Sequence, residues 1–237
     1  MNYVNKLKIK SDLTENLSIV LWSSNLSSTA GIRYTKHELS IVKIPYEIKS
    51  IFIGIILSDG HLALQSKSKN AYLIFNQSLA KLAYVYFVYN YICHYCQSYP
   101  KLSIGYRLNN PSYILRVTTR SMPCITELYE NFYLNKKKII KSSIYFDLTP
   151  IALAHWIMGD GYYNNRDTST LLCTDSFSIQ DIVILMNVLL IRYNISSTIQ
   201  YSGKKYPRIH IRKKSMPKLQ KIVLPYMHES MLYKLGI

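Results

Sequence analysis

The sequence predicts an α+β protein of two pseudo-symmetric αββαββα halves, each with an antiparallel sheet, packed through one helix from each half. Three observations carry that reading. The apolar segments Phe52-Ile53-Gly54-Ile55-Ile56-Leu57-Ser58-Asp59-Gly60 and Leu153-Ala154-His155-Trp156-Ile157-Met158-Gly159-Asp160-Gly161 end in the same Asp-Gly pair, 101 residues apart. Each half holds a long window free of Asp and Glu, from Gly60 to Met122 and from Ile182 to His228. Turn signals and hydrophobic periodicity then recur in the same order in both halves.

In the first half, Pro45 opens an apolar helix that runs through Leu57. The turn-rich Leu64–Tyr72 stretch then divides two strands in which Leu62, Leu64, Leu73 and Phe75 alternate with more polar residues. A Tyr-rich helix over Leu79–Gln97 follows, then a hairpin turning at Asn109-Asn110-Pro111 and a helix over Met122–Leu134. In the second half, Thr149 is an N-cap with Pro150 at the first helical position. Strands around Asn164-Asn165-Arg166-Asp167, a helix over Ile179–Tyr193, a hairpin at Ser202-Gly203 and a helix from Met216 complete the same order. The halves are assigned to residues 45–141 and 142–237. Residues 1–44, rich in Ser, Asn and Thr, read as an extension wrapping on the surface.

With 49 % hydrophobic residues in 237, the chain can bury a substantial core, which excludes global disorder. Four scattered cysteines do not make a disulfide scaffold and point to a reducing compartment. Between Lys81 and Lys101 no charge occurs over a length that could span a bilayer. Six tyrosines with Asn90, His94 and Gln97 spread polar groups around every helical face, so a buried helix is expected there and no membrane partner. Cys93 and Cys96 share a face of that helix and read as core rather than as zinc ligands. The Met1–Leu17 stretch lacks the apolar run of a secretory signal.

The charge balance is +16, from 29 Lys and Arg against 13 Asp and Glu. Such a surplus calls for a polyanion. Two all-positive windows at matching places in a repeat point to two phosphate-facing surfaces. In Tyr206–Arg212, Arg208, His210 and Arg212 alternate with Ile209 and Ile211, giving a strand with one cationic and one apolar face.

Both Asp-Gly pairs fall at helix C-termini, where glycine is expected to supply a left-handed stop. A carboxylate there meets the negative end of the helix dipole, an arrangement that a bound cation reverses. At these residues the chain resembles the single-chain, two-motif LAGLIDADG homing endonucleases. Gly54, Ile56, Asp59 and Gly60 match the motif in the first segment; Leu153, Ala154, Ile157, Asp160 and Gly161 match it in the second. His155 stands where the pattern has glycine, so an asymmetric helix crossing is expected.

The resemblance implies a monomeric, intron-encoded nuclease that cuts a long asymmetric DNA site. Asp59 and Asp160, with the carbonyls of Ser58 and Gly159, would hold Mg²⁺, or Mn²⁺ in its place. It implicates a lysine near the end of each half: Lys137, with Lys136 and Lys138 as competitors, and Lys234. Gln77 and Asp175 are read as equivalent polar groups that make the two centres chemically unequal. DNA contacts are expected from Gln65, Lys67, Lys69, Asn76, Arg107 and Arg116 in the first half. In the second half they are expected from Arg166, Lys204, Lys205, Arg208, His210 and Arg212. Mitochondrial origin is implied, with a chloroplast as the alternative. The alternative function is an intron RNA maturase using the same basic surface.

Overall fold

The fold grows from the two apolar helices. The computed structural model describes residues 29–66, 69–107, 110–203 and 206–237. Helix α1 (Lys36–Ile41) leads into α2 (Tyr46–Leu57), β1 (Gly60–Leu64), β2 (Ala71–Ser78), α3 (Leu82–Ile92), β3 (Lys101–Arg107), β4 (Asn110–Thr118) and α4 (Pro123–Phe132). A short hairpin, β5 (Tyr133–Leu134) and β6 (Lys137–Lys138), and the one-turn α5 (Ile144–Asp147) lead to the second half. There α6 (Pro150–Asp160) is followed by β7 (Gly161–Asn164), β8 (Ser169–Cys173), α7 (Ile179–Tyr193), β9 (Ser197–Ser202), β10 (Tyr206–Ile211) and α8 (Met216–Val223). A 3₁₀ helix, Glu229–Leu235, comes near the end. The sheets have matching orders, β1-β2-β4-β3 and β7-β8-β10-β9, with antiparallel neighbours.

Helices α2 and α6 pack along one another at the centre of the core. Ile48 and every residue from Ser50 to Leu57 are buried on α2, as is all of Ala152–Gly159 on α6. An apolar surface on every side is what a helix needs when sheets and a partner helix enclose it. The close approach comes from glycine: a Cβ on Gly54 would overlap Ala152 O and His155 Cβ, and one on Gly159 would overlap Ser58. His155 therefore sits opposite a glycine, so the larger side chain of one helix fills the space left by the other. Its ring stacks on Phe87 at 5.9 Å, with Nδ1 3.5 Å from the Tyr84 hydroxyl.

Three expectations are corrected. Gly161 has φ −70° and Gly60 is absent from the positive-φ glycines, so neither supplies a left-handed stop. Each is small because the outgoing strand folds back over its own helix. A Cβ on Gly60 would meet Ile55, and one on Gly161 would meet Ile157.

The Tyr-rich helix is shorter than expected. A 3₁₀ turn capped by Ser78 precedes α3, and the chain leaves the helix at Cys93–Tyr95. There Arg120, 8 % exposed, donates to the carbonyls of Thr29, Ile32, His94 and Cys96, and stacks over Tyr34. That clamp fixes residues 29–34 of the extension against the first half; residues 1–28 lie outside the described region.

Helix α4 stops at Phe132, not Leu134. Asn135 and Lys136 both take positive φ, 50° and 64°, the pattern of a two-residue type I′ turn joining β5 to β6. Cys93 and Cys96 are buried, their thiols donating to the carbonyls of Asn90 and Ile92. Among the described residues no helix is long and apolar enough to cross a membrane.

Candidate active site at the helix pair

The last turns of α2 and α6 bring Asp59 and Asp160 together. Asp59 Oδ2 lies 3.1 Å from the position a Cβ on Gly159 would take, so the carboxylate of one half abuts the residue preceding Asp160 in the other. Gln77, buried at 5 % exposure on β2, donates to Asp59 Oδ2. Burial pushes both carboxylic acids above their ordinary range, and for Asp160 the neighbouring Asp59 charge adds to it, taking its pKa to about 7.

Two lysines flank the pair, Lys234 buried and Lys138 half-buried. Lys138 donates to the carbonyls of Ile56, at 2.7 Å, and Gly60, at 3.2 Å. Lys234, 5 % exposed, donates to the Gly159 carbonyl. Burial pulls each ammonium down to about 8, against the pull of both aspartates. In each half a lysine from the C-terminal end thus holds the end of the motif helix.

Lys137 is not the lysine at this site. Residues on a strand alternate faces, and in the β5–β6 hairpin Lys138 pairs with Tyr133, whose hydroxyl accepts from Leu62 N–H. Lys137 pairs with the exposed Leu134 and is itself exposed. Counting along a helix could not distinguish them, because the segment is a hairpin.

Asp175 is not the counterpart of Gln77 either. Gly60 lies opposite Phe75 and Gly161 opposite Leu172, while Asn76 lies opposite Arg116 and Cys173 opposite Arg208. Register therefore equates Gln77 with Thr174, and Asp175 with Ser78. Thr174 is 1 % exposed and its hydroxyl donates to Pro207 O at 2.7 Å. Asp175 is drawn into an ion pair with Arg208 at 3.3 Å. Lys81, absent from the sequence-based site set, exerts the largest charge effect of any cation on Asp59. Its position just beyond the strand that carries Gln77 was the available signal.

Among the described residues no cluster of three or more His, Cys, Asp or Glu could hold a metal ion. The donors at hand are two carboxylates and the carbonyls that end each helix. Mg²⁺ is commonly held by one or two carboxylates, with water and substrate phosphate completing its shell. A carbonyl has two lone pairs, so Lys234 leaves one free on Gly159. Two desolvated, mutually repelling carboxylates gain from such a cation, and the residues fit it.

Residues 49–219 match the sequence model of the LAGLIDADG DNA endonuclease family. The chain belongs to that family. It is 34 % identical over 202 residues to the cytochrome b mRNA maturase bI2 of Saccharomyces cerevisiae, across 80 % of this chain but 47 % of the relative. The chain thus spans about half the length of that yeast protein. It is 30 % identical over 209 residues to "Probable intron-encoded endonuclease 1" of Wickerhamomyces canadensis, covering 85 % of this chain and 88 % of the relative. Its fold is similar to the homing endonuclease I-WcaI bound to its DNA recognition sequence. That match has TM-score 0.76 and 26 % identity, over 92 % of this chain and 95 % of that one.

The LAGLIDADG sheets turn one face to the helices and leave the other open. Asn76 and Arg116 are cross-strand partners in the first sheet, joined by a 3.1 Å hydrogen bond, and Arg116 is exposed. Arg208 and His210 share the open face of the second, opposite the buried Ile209 and Ile211. The His210 ring is occupied by Ser169, 2.9 Å from Nε2, and by Thr198, 3.3 Å from Nδ1. Arg212 lies beyond the end of β10 and is exposed. Gln65, Lys69 and Arg166 sit in the exposed β1–β2 and β7–β8 turns. Arg107 closes β3; Lys67, Lys204 and Lys205 lie outside the described residues.

The raised Asp160 acid has a measurable consequence. Between about pH 4 and 7 the folded chain keeps a proton that the unfolded chain has released, so this group loses stabilising effect as pH rises. Neutral, buried His155, held down to about 3, acts in the opposite sense from about pH 3 to 6.5. The clean readout is a difference: without divalent ions, the Tm of Asp160→Asn should gain on wild type as pH rises from 4 to 7. A constant Tm gap across that window would contradict the burial-raised acid of Asp160.

Proposed function

We propose that this chain is a site-specific endonuclease that cuts both strands of a long, asymmetric DNA duplex. The observation that carries the reading is the apposition of Asp59 and Asp160 at the ends of the LAGLIDADG helices, each helix end held by a lysine. Two four-stranded sheets with basic, exposed faces give the shape and charge for a duplex partner. Because the two faces carry different side chains, the site read should lack two-fold symmetry. Arg116 and Arg208 suit guanine edges or phosphates; Asn76 and Gln65 suit adenine.

In the reaction, a bond forms between a water oxygen and phosphorus as the bond from phosphorus to the 3′-oxygen breaks. The products are a 5′-phosphate and a 3′-hydroxyl, the water giving up one proton and the 3′-oxygen taking one. Asp59 and Asp160 would hold Mg²⁺, or Mn²⁺, which when bound lowers the pKa of attacking water and offsets phosphate charge. Gln77 orients the Asp59 carboxylate. Lys138 and Lys234 add positive charge beside the phosphate and, with pKa near 8, can exchange a proton close to neutrality. The α2–α6 contact within one chain supports a monomer divided near residue 141.

Selection of cleaved sequences from a randomised duplex library with Mg²⁺ tests the reading. One long asymmetric consensus is expected; a library left intact with both Mg²⁺ and Mn²⁺ would overturn it. Two relatives named for cytochrome b mRNA maturation, 34 % and 31 % identical, support the second reading, a protein that helps intron RNA fold. They also favour a mitochondrial origin, with a chloroplast as the alternative. A splicing assay run beside the cleavage assay separates the two activities.

A further inference from the structure

The apolar side of the first sheet runs on past the helices that cover it. Leu102, Ile104 and Tyr106 alternate along β3, and Leu102 and Ile104 lie opposite Leu115 and Tyr113 of β4. Leu115 is buried, so this is the side that packs on the core, yet Leu102, Ile104 and Tyr106 are 54, 59 and 78 % exposed. β3 is also an edge: the order β1-β2-β4-β3 leaves its outer side without a neighbouring strand among the described residues. Proteins commonly blunt such edges with charge, proline or a bulge. Charge in β3 is confined to its first and last residues, Lys101 and Arg107. An open edge beside an exposed apolar face suits a segment that can cover both.

The chain supplies such a segment at short range. Gly31 N–H donates to Gln97 O at 2.9 Å, and Arg120 holds the Thr29 carbonyl. Residue 29 therefore sits beside the stretch of chain that enters β3. Cys96 is bridged to Thr119, three residues along from Arg116, the partner of Lys101. The start of β3 is thus about 10 Å further along the sheet. Upstream of Thr29 the sequence reads Leu17-Ser18-Ile19-Val20-Leu21-Trp22, followed by Ser23 to Ser28. The first run is uncharged and rich in strand-forming residues, five of its six being apolar. The six residues after it span about 20 Å when extended, enough to lay the run along β3. A tether that short gives an effective concentration in roughly the millimolar range, against which a second copy or a foreign partner would have to compete.

We propose that Leu17–Trp22 docks along the free edge of β3 and covers Leu102, Ile104 and Tyr106. The docked run braces the β3–β4 hairpin from the helix side, while Arg116 on the same hairpin faces out with Asn76 on the other. This assignment does not depend on the endonuclease reading.

The test compares the full chain with the double variant Ile19→Asp/Leu21→Asp, which alters none of residues 29–237. Amide hydrogen exchange at the β3 positions that point away from β4 should be about tenfold or more faster in the variant, with α2 and α6 unchanged. Trp22 is one of two tryptophans and Trp156 is wholly buried, so acrylamide quenching reports on Trp22. Trp22 should be shielded in wild type and become accessible in Ile104→Asp, which keeps the extension intact and removes its seat. Equal β3 exchange in wild type and the double variant would overturn the proposal, as would a Trp22 quenched equally in wild type and Ile104→Asp. Protection of β3 that rises with protein concentration and survives the double variant would give the edge to a second copy instead and overturn it too.

Discussion

Asp59→Asn and Asp160→Asn should each abolish double-strand cleavage while duplex binding stays at least as tight as in wild type. Asn keeps the shape of the side chain and removes the charge needed to hold a divalent cation and activate water. Loss of one charge-stabilising group at a reacting centre typically costs about 10²–10³-fold in rate, and in the proposed mechanism that group also holds the metal. Binding moves the other way, because each carboxylate repels the phosphates that the basic faces attract. In the absence of ions, Asp160→Asn should also be the more stable protein near neutrality, since it no longer buries a charge beside Asp59. Single-turnover cleavage and a direct binding titration on the same target separate these effects. Full-rate cleavage by either variant would remove the pair from the active site.

Gly54→Ala should be among the most destabilising single-methyl additions in the chain. On an exposed helix that change gains about 1 kcal/mol from backbone entropy. Here the new Cβ would overlap the Ala152 carbonyl and His155 Cβ, and backbone cannot rotate away as a long side chain can. Overpacking of a filled core costs about 1–3 kcal/mol, which for a chain of this size lowers Tm by roughly 2–4 °C per kcal/mol. Spreading the helices also separates Asp59 from Asp160, so cleavage should fall further than stability predicts. Gly105→Ala is the control, because its Cβ would make only ordinary contacts at 3.9 Å. Equal Tm values for the two variants would contradict the close packing of α2 on α6.

His155 illustrates how the helix pair tolerates a departure from its motif. In the motif that position is glycine, and a helix partner of ordinary size would exclude an imidazole. Gly54 lies opposite and supplies the missing space, while Phe87 and Tyr84 give the ring an apolar face and one polar neighbour. A buried imidazole held neutral costs stability in acid, when the unfolded chain can take the proton and the folded chain cannot.

The order of helices and strands, the duplication and the two aspartates could be read from the chain alone, because these follow from local periodicity, turn residues and a repeated motif. The Thr149 cap and the α7 boundaries fall as those local rules require. Which lysine enters the site could not be read so. Lys136, Lys137 and Lys138 are equivalent in composition, and only the two-residue turn at Asn135-Lys136 fixes which strand face meets α2. The equivalence of Gln77 with Thr174 and the need for small residues at Gly60 and Gly161 depend on strand register and on distances between segments far apart in sequence. Local sequence sets which backbone conformations are cheap; contact across the fold decides which side chains end up beside the two carboxylates.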